Sequence, residues 1–449
     1  MDTTTLLTVF LVLRLAIPSQ LSVPGLRSVG SPALLFSLAL LVLWAALRAH
    51  RSRSEPSSPV MLAAVVFALA YTASLVAAVL RPISSEELNS SFFGVLTILG
   101  WFGVLALSHD GLGGRERLQV LLNRVVIFGA LLAALGLVQF LTGEAWVDRI
   151  EIPGLTRNGT ISGAFVRDRF TRPSGTAIHP IEFGAVLSMV LPIAVVRGLG
   201  KLDPGHKARG LISSWAPAAL IAMTVFLSSS RSAWIGMGLG LVCVLGIMSS
   251  RQRVVTGVLM AVSLMVLFVV VPGMLGVVAS MFTDVGNDPS ILSRVGAYAM
   301  ALGYVDRSPW LGRGLFTFLP RYQIFDNQYL LSVVETGIVG VGALIILAVV
   351  VAATGTVAAL RNHPLSAATV GVTAGCAVGT VELSMFDGFS FPMMSGVWFM
   401  LLGLVGACSR LTRDPASEGA EEPRRGHTSD RPSASTAPPR PAAGATPRP

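Results

Sequence analysis

Long apolar runs, separated by short polar segments, recur along most of the chain. We place twelve of them near residues 5–24, 31–48, 60–80, 92–108, 119–141, 183–197, 211–228, 232–249, 254–273, 328–352, 365–384 and 393–409. Most are long enough to cross a hydrocarbon core of about 30 Å as a helix. The alternation that is typical of a membrane β-barrel is absent from the sequence. The pattern predicts an all-α, polytopic membrane helix bundle with about 12 transmembrane helices.

The two ends of the chain differ in kind. Arg14 interrupts the first apolar run and Pro18 predicts a kink there, but no small-residue cleavage site follows. We therefore expect an uncleaved first helix. Residues 411–449 are rich in Pro, Ala, Ser and both charge signs, with almost no large apolar side chain. We expect residues 1–410 to form the membrane domain and 411–449 a disordered cytoplasmic tail.

The distribution of charge predicts the orientation. The net charge is +9, but the basic residues are spread over loops rather than gathered on one surface, so we expect no nucleic-acid partner. If the amino terminus is cytoplasmic, the short loops rich in Arg and Lys all fall on the cytoplasmic side. This predicts a multi-pass protein of the cytoplasmic membrane with both termini inside. Two long segments, 142–182 and 274–327, then face outward, and we expect short helices in the second.

The stretch FLSSSRSAWIGMGLG, residues 226–240, places Arg231 and four serines between two apolar runs. One interpretation is an interfacial arginine whose long side chain reaches headgroup phosphates. The other is an anion site, where the serines supply hydroxyls and the amino-terminal end of the next helix favours negative charge. Trp234 is expected at the membrane interface with its N–H toward water.

A helix start is also predicted in the second long segment. The Asp-Pro-Ser run at 288–290 is typical of a helix start and places Arg294 near the positive end of that helix. Arg294 would then face the same anion as Arg231. Guanidinium groups suit a diphosphate because their planar fork donates two parallel hydrogen bonds and keeps its proton. Arginines converging on one water–lipid boundary therefore suggest a lipid-linked phosphate or diphosphate.

The stretch RPSGTAIHPIEFG, residues 172–184, predicts a tight turn followed by a membrane helix. Gly175 permits the turn, and Pro180 suits the first turn of the helix. Arg172 and His179 flank this helix start. His179 has two interpretations: a histidine hydrogen-bonded into the loop, or a group near the substrate.

Further candidates follow the second long segment. Residues 311–314, LGRG, predict a glycine turn that carries Arg313, and Asp326 and Asn327 stand where the chain re-enters the bilayer. A carboxylate at that position is placed to take a proton from an attacking hydroxyl. Glu335 lies about two helical turns deeper. An acid within the membrane is a functional candidate by default, but we favour hydrogen bonds from Glu335 to hydroxyls or backbone of a neighbouring helix.

Between about residues 160 and 340 these features occur in the order found in the O-antigen ligase and polymerase superfamily of bacterial membrane glycosyltransferases, which the chain resembles. The resemblance is carried by SRSAW, the stretch from Arg172 to Pro180, the Arg294 helix, the 311–314 glycine turn and the DNQYL…ETGIVG run. Outside this core it extends only to hydropathy and the number of spans.

The resemblance implies an enzyme on the outer face of the cytoplasmic membrane. Such enzymes move a glycan from an undecaprenyl-diphosphate carrier to an acceptor hydroxyl on a glycan, lipid or protein, without nucleotide sugar, cofactor or metal. By this resemblance the catalytic residues are Asp326, Arg294 and Arg231. The substrate-binding residues are Arg172, His179, Asn327 and Arg313. We expect Arg172, Arg231, Arg294 and Asp326 to surround one pocket.

One departure leaves the subtype open. Where lipopolysaccharide ligases carry a His-Asn pair, this chain has Asp326 and Asn327. Aspartate, with an ordinary pKa of about 3.9, is a weaker base than histidine unless its surroundings raise that pKa. Ligase and polymerase therefore remain alternatives. A transporter or flippase of a polyprenyl-linked lipid is a further alternative, although it would place its ionisable pairs nearer the bilayer midplane. A noncatalytic scaffold is the third.

Overall fold

A computed structural model describes residues 2–50, 58–158, 165–167, 170–200, 211–271, 273, 276 and 289–413. These residues contain thirteen α-helices: α1 Thr3–Leu15, α2 Pro32–His50, α3 Pro59–Val79, α4 Ser85–Asp110, α5 Arg115–Thr142, α6 Pro180–Gly198, α7 Leu211–Leu227, α8 Arg231–Leu245, α9 Ser250–Val270, α10 Pro289–Val305, α11 Gln328–Ala359, α12 Ser366–Glu382 and α13 Pro392–Leu411. Four short strands form two antiparallel pairs, β1 Leu21–Ser22 with β2 Thr156–Arg157, and β3 Phe165–Arg167 with β4 Phe170–Arg172. The predicted tail lies outside the described residues from 414 onward.

The predicted all-α membrane class is confirmed. Each of the twelve apolar runs falls on a helix, and seven helices are long and apolar enough to cross a membrane: α2, α3, α4, α5, α6, α11 and α13. The remaining helix, α10, lies within the second long segment and begins at Pro289, as predicted. Most of that segment before α10, residues 277–288, lies outside the described part of the chain.

Local sequence sets the helix starts. Pro59, Pro180 and Pro392 occupy the first turns of α3, α6 and α13, where the missing N–H costs no hydrogen bond. At the start of α4, Ser84 accepts a hydrogen bond from the backbone of Glu87, and the Glu87 side chain accepts one from the backbone of Ser84. This reciprocal pair satisfies two of the N–H groups that a helix start leaves unpaired.

The first helix is shorter than the sequence predicted. The apolar run 5–24 predicts a span, but α1 ends at Leu15 and the chain enters β1 at Leu21. Pro18 explains the difference, because it disfavours helical geometry in the residue before it and supplies no N–H to the helix.

Successive membrane helices alternate in direction, so their loops gather at two ends. At one end, which we call the long-loop face, the first loop pairs with the 143–179 segment through Leu21 and Arg157, and the Gln328 N–H donates to the Leu383 carbonyl over 2.8 Å. At the opposite end Arg117 pairs with Asp2 over 2.8 Å, and Arg410 donates to the Leu112 carbonyl over 2.7 Å. The chain therefore begins and ends its described membrane region at the same face.

The interior is closely packed around α6 and α13, which bury most of their residues. Two glycines permit the close approach of neighbouring backbones. A Cβ at Gly403 of α13 would overlap the Leu105 carbonyl of α4, and one at Gly375 of α12 would overlap the Met189 carbonyl of α6. Small residues at helix contacts are typical of membrane bundles, where packing rather than hydrophobic burial brings helices together.

Helix α11 is interrupted at Gly337, which has φ 66° and ψ −169°. This region is essentially restricted to glycine. The loop of residues 308–318 follows α10, and we call it the returning loop. It lies against the interruption, where the Ile338 N–H donates to the Pro309 carbonyl over 2.8 Å. The predicted glycine turn is confirmed, with φ 63° at Gly312 and 117° at Gly314. The kink and the turn together hold residues 308–318 at the long-loop face.

We predict that Gly337→Ala destabilises the protein by at least about 2 kcal/mol, because alanine would be strained at this φ and its Cβ would overlap the Trp310 backbone. The measurement is thermal unfolding of the purified protein in nanodiscs. Gly342→Ala on the same helix is the matched control, since a Cβ there meets open space. Equal unfolding of the two variants would contradict the role assigned to Gly337.

Candidate functional site

Residues 228–230 form a buried turn before α8, which we call the serine turn. Ser229 has φ 49°, a left-handed conformation, and Ser228 to Ser230 are at most 4% exposed. The Ser228 hydroxyl donates to the Val225 carbonyl over 2.7 Å, and the Ser230 and Ser232 hydroxyl oxygens lie 2.9 Å apart. These hydrogen bonds shape the turn, so the expectation that the serines supply ligand hydroxyls finds no support in the described contacts.

The expectation that the indole N–H of Trp234 points toward water is wrong. Its side chain is 8% exposed, and its indole N–H donates to the Val225 carbonyl over 3.2 Å. The tryptophan instead fastens the first turn of α8 to the end of α7. Burial inside the bundle satisfies the indole N–H without water.

Arg231 is the first residue of α8 and is half-buried. The Trp234 backbone N–H donates to the Ser230 carbonyl over 3.1 Å. The Ser230 side chain makes no capping hydrogen bond. The positive dipole end of α8 therefore lies at Arg231, its first residue.

Arg172, at the end of β4, is fixed to the serine turn. Its Nε donates to the Ser228 carbonyl oxygen over 2.9 Å. Ser228 and Arg231 are separated by two residues, so this hydrogen bond brings two arginines from distant parts of the chain to one turn. The predicted association of Arg172 with the Arg231 turn is thereby present in the structure.

His179 serves as the N-cap of α6. Its Nδ1 accepts a hydrogen bond from the Ile181 N–H over 3.1 Å, and its ring lies 4.6 Å from that of Phe165 and 6.3 Å from that of Phe391. Burial, with a contribution from the nearby positive charge of Arg172, lowers the pKa of His179 to about 4. The imidazole is therefore neutral at pH 7, and because Nδ1 accepts, the ring proton lies on Nε2. Both interpretations of His179 remain compatible with this geometry.

The two arginines predicted in the second long segment differ in what the structure describes. Arg294 lies in the first turns of α10, and its side chain is outside the described part of the structure. Arg313 donates to Glu87 over 2.8 Å, and its guanidinium lies 4.9 Å from the Tyr304 ring centre. Arg313 therefore anchors the returning loop to α4.

Asp326 and Asn327 stand at the start of α11. The Asn327 side chain caps the helix by accepting the Leu330 N–H over 3.1 Å. Asp326 is half-buried, and its charge acts on Asp387 in the loop before α13. Burial, reinforced by the negative charge of Asp326, raises the pKa of Asp387 to about 6. Asp387 therefore takes up a proton closer to neutral pH than an exposed aspartate does.

Glu335 is buried and accepts the Phe318 N–H over 3.1 Å. We predicted a partner in the hydroxyls or backbone of a neighbouring helix, and the partner is indeed backbone. It belongs to the returning loop rather than to a helix, because the Gly337 interruption brings that loop against α11.

The loop of residues 383–391, between α12 and α13, carries Asp387, and we call it the Asp387 loop. A cavity of about 560 Å³ lies against it. Asp387 and Glu335 line it, as does Arg14 of α1, whereas Arg172, Arg231 and Asp326 do not. The expected single pocket around the predicted residues is therefore not this cavity. The described residues instead form an arginine cluster at the serine turn and a carboxylate pair at Asp326 and Asp387.

Sequence reasoning passed over Asp387 and gave Arg14 no chemical role. Asp387 stands in SMFDGFS, where the Asp-Gly pair predicts only a turn. The sequence feature that could have pointed to Asp387 is a carboxylate in a short loop, which the predicted topology places on the same side of the membrane as Arg231. Arg14 was treated as an interruption of an apolar run, although an ionisable residue within a membrane helix is a functional candidate by default.

Comparison with known families places this geometry in context. Residues 216–345 match the family model described as O-Antigen ligase. The matched segment contains Arg231, Arg294, Asp326 and Asn327, whereas Arg172 and Asp387 lie outside it. The predicted resemblance to the O-antigen ligase and polymerase superfamily is confirmed, and it supports a membrane glycan ligase or polymerase in general. No curated protein matches the chain.

We predict that His179→Ala lowers the free energy of unfolding by about 1 kcal/mol, because the Ile181 N–H loses its cap. His179→Asn restores a capping acceptor and should unfold close to the wild type. Chemical unfolding of both variants in the same detergent provides the measurement. If the asparagine variant were the less stable of the two, the capping role would be excluded.

Proposed function

We propose that the protein is a membrane glycosyltransferase that transfers or polymerises a glycan from an undecaprenyl-diphosphate donor onto an acceptor hydroxyl at the outer face of the cytoplasmic membrane. The family match supports the general class, and the long-loop face provides the groups that this chemistry requires. The undecaprenyl-diphosphate donor, the outer membrane face as the place of reaction and the roles of individual residues go beyond that general class, and we propose them on the grounds that follow.

The observation that carries the proposal is the hydrogen bond from Arg172 Nε to the Ser228 carbonyl. It holds one guanidinium beside the turn from which Arg231 and the amino-terminal end of α8 project. Two arginines and a helix amino terminus form a compact set of donors for an anion with several oxygens. Arg294 is proposed as a third arginine, contributed by α10.

The arginine cluster would act on the leaving group. The acceptor oxygen attacks the anomeric carbon of the donor sugar, a new glycosidic C–O bond forms, and the bond from that carbon to the diphosphate breaks. Negative charge then grows on the departing diphosphate, where fixed cations stabilise it. Diphosphate leaves well without protonation, so the site needs cations there rather than an acid. Direct displacement inverts the configuration at that carbon.

The carboxylate pair would act on the acceptor. In this role Asp326 takes the proton from the attacking hydroxyl, and Asp387 sets the proton affinity of the pair by its negative charge. The weaker basicity of aspartate relative to histidine is partly offset, because a like charge nearby raises carboxylate pKa values. The neutral His179, with its proton on Nε2, is positioned as a hydrogen-bond donor near Arg172.

We predict that Arg231→Ala reduces glycan transfer at least about 100-fold and Arg172→Ala at least about tenfold, because each removes a donor from the departing diphosphate. The assay supplies purified protein with a lipid-diphosphate-linked glycan and an acceptor, and separates products by length. A ladder indicates a polymerase, and one discrete conjugate indicates a ligase.

Arg149→Ala is the matched control for this experiment. Arg149 lies in the same long segment as Arg172, is largely exposed and pairs with Glu144 over 2.8 Å. Its variant should transfer glycan at the wild-type rate. Wild-type transfer by Arg231→Ala and Arg172→Ala would overturn the proposed function.

We predict that kcat/KM for transfer falls as the pH decreases through about 6, because Asp387, whose pKa burial raises to about 6, then gains a proton and no longer adds its negative charge beside the base Asp326. Asp387→Asn removes the neighbouring negative charge. The acidic limb of its profile should therefore move to lower pH, toward the ordinary carboxylate range near 4. Profiles from pH 4.5 to 8 test this, and an unmoved limb in the variant would exclude coupling between the two residues.

A further inference from the structure

The cavity behind the Asp387 loop contains buried polar groups that have no partner among the described residues. Arg14 Nε and the hydroxyl oxygens of Ser19 and Ser22 are buried, lack hydrogen-bond partners and belong to residues that line this cavity. Leaving such a group unpaired costs about 1–3 kcal/mol. The residues that carry these three atoms all line one space, so the wall of the cavity is polar on this side.

We propose that this cavity is the binding chamber for the saccharide acceptor, and that Arg14 binds its sugar oxygens. The assignment of the saccharide as acceptor rests on the proposed function. The volume of about 560 Å³ falls within the range of about 300–1,000 Å³ that small-ligand sites occupy.

Arg14 is available to such a ligand because its carboxylate neighbour is occupied. Arg14 is 4% exposed, and Glu182 is close enough to attract it electrostatically. Glu182, however, accepts backbone N–H groups from Ile178 over 2.8 Å and from Met393 over 2.6 Å. Glu182 therefore lies within electrostatic reach of Arg14 while its described hydrogen bonds go to backbone N–H groups. A guanidinium that has a carboxyl group nearby and an unused Nε donor suits a neutral, oxygen-rich partner.

The remaining lining has the composition that a sugar requires. Hydroxyl and amide side chains stand around the space, among them those of Ser28, Gln323 and Asn158. Trp101 and Phe389 also line it, and their rings lie 5.0 Å apart. Hydroxyls and amides pair with sugar hydroxyls, while aromatic surfaces cover the apolar C–H face of a sugar ring.

The chamber adjoins both parts of the proposed catalytic site. Asp387 lines it directly, so an acceptor inside it lies next to the carboxyl group whose proton affinity the charge of Asp326 raises. Ile178 and Pro392 also line it, and their chain neighbours His179 and Phe391 lie ring to ring at 6.3 Å on the side of Arg172. Acceptor and donor would thus approach the same short loop from opposite sides.

The test measures saccharide binding separately from transfer. The protein is placed in lipid nanodiscs without sugar-based detergent and titrated calorimetrically with oligosaccharides released by partial acid hydrolysis of the source cell's own surface glycan. Arg14→Met removes the guanidinium. Ser28→Trp places a large ring at an exposed position of the cavity lining and keeps the test decisive if Arg14→Met does not fold.

Arg124→Met is the matched control, because Arg124 donates to Thr8 of α1 over 2.6 Å and does not line the cavity. We expect wild type and Arg124→Met to bind the fragments alike. Arg14→Met should bind them at least tenfold more weakly, and Ser28→Trp should lose binding. In transfer, Arg14→Met should raise the KM for acceptor while the KM for the lipid-linked donor stays unchanged.

The outcomes separate this inference from the proposed function. Wild-type affinity in folded Arg14→Met or in Ser28→Trp, or no binding by the wild type, would overturn the chamber. If binding follows the expected pattern but no glycan is transferred from the diphosphate donor, the saccharide chamber stands and the proposed reaction fails. If Arg231→Ala abolishes transfer while Arg14→Met leaves binding unchanged, the reaction stands and the chamber fails.

Discussion

The carboxylate of Glu182 is the contact on which the arrangement of the long-loop face depends. Buried at the first turn of α6, it accepts the N–H groups of Ile178, Met393 and Met394. Helix starts leave N–H groups that find no water inside a membrane domain, so a buried acceptor there determines which segments meet. One side chain thereby fixes the segment after Arg172 against the start of α13. The loop that carries Asp387 directly precedes that helix.

The membrane helices were predictable because their cause is local. A run of about 20 apolar residues can satisfy its backbone in hydrocarbon only as a helix, whatever surrounds it. Helix ends were also predictable where a proline or a capping pair sets them locally, as Pro180 does at the start of α6. The prediction for α1 was wrong at its end because the apolar run continues to residue 24, and Pro18 ends the helix where we predicted only a kink. The prediction of a water-facing indole N–H at Trp234 was wrong for a related reason, since residue type suggests exposure but packing decides it.

The candidate site was only partly predictable, because its contacts join segments that are distant in the chain. Residue type and position at a membrane boundary selected Arg172 and Arg231, but only the fold shows the hydrogen bond from Arg172 to Ser228. Arg313 had the same signal as these two, yet it lies in an ion pair with Glu87, 226 positions away. Asp387 was missed because an Asp-Gly turn has an ordinary local explanation. Its raised pKa arises from burial and from Asp326, which no local pattern reports.

Cations and carboxylates in one small site tend to neutralise one another, and the Arg313–Glu87 pair shows that result. In the described contacts of the proposed site, Arg172 donates instead to a neutral carbonyl and lies near a histidine that its own charge helps to keep neutral. The carboxylates of Asp326 and Asp387 lie near each other, where mutual repulsion raises proton affinity. In the proposed reaction, the positive charge would act on the departing diphosphate and the basicity on the attacking hydroxyl. In that reaction, the donor and the acceptor would approach each other from opposite sides of the loop between Asp387 and Phe391.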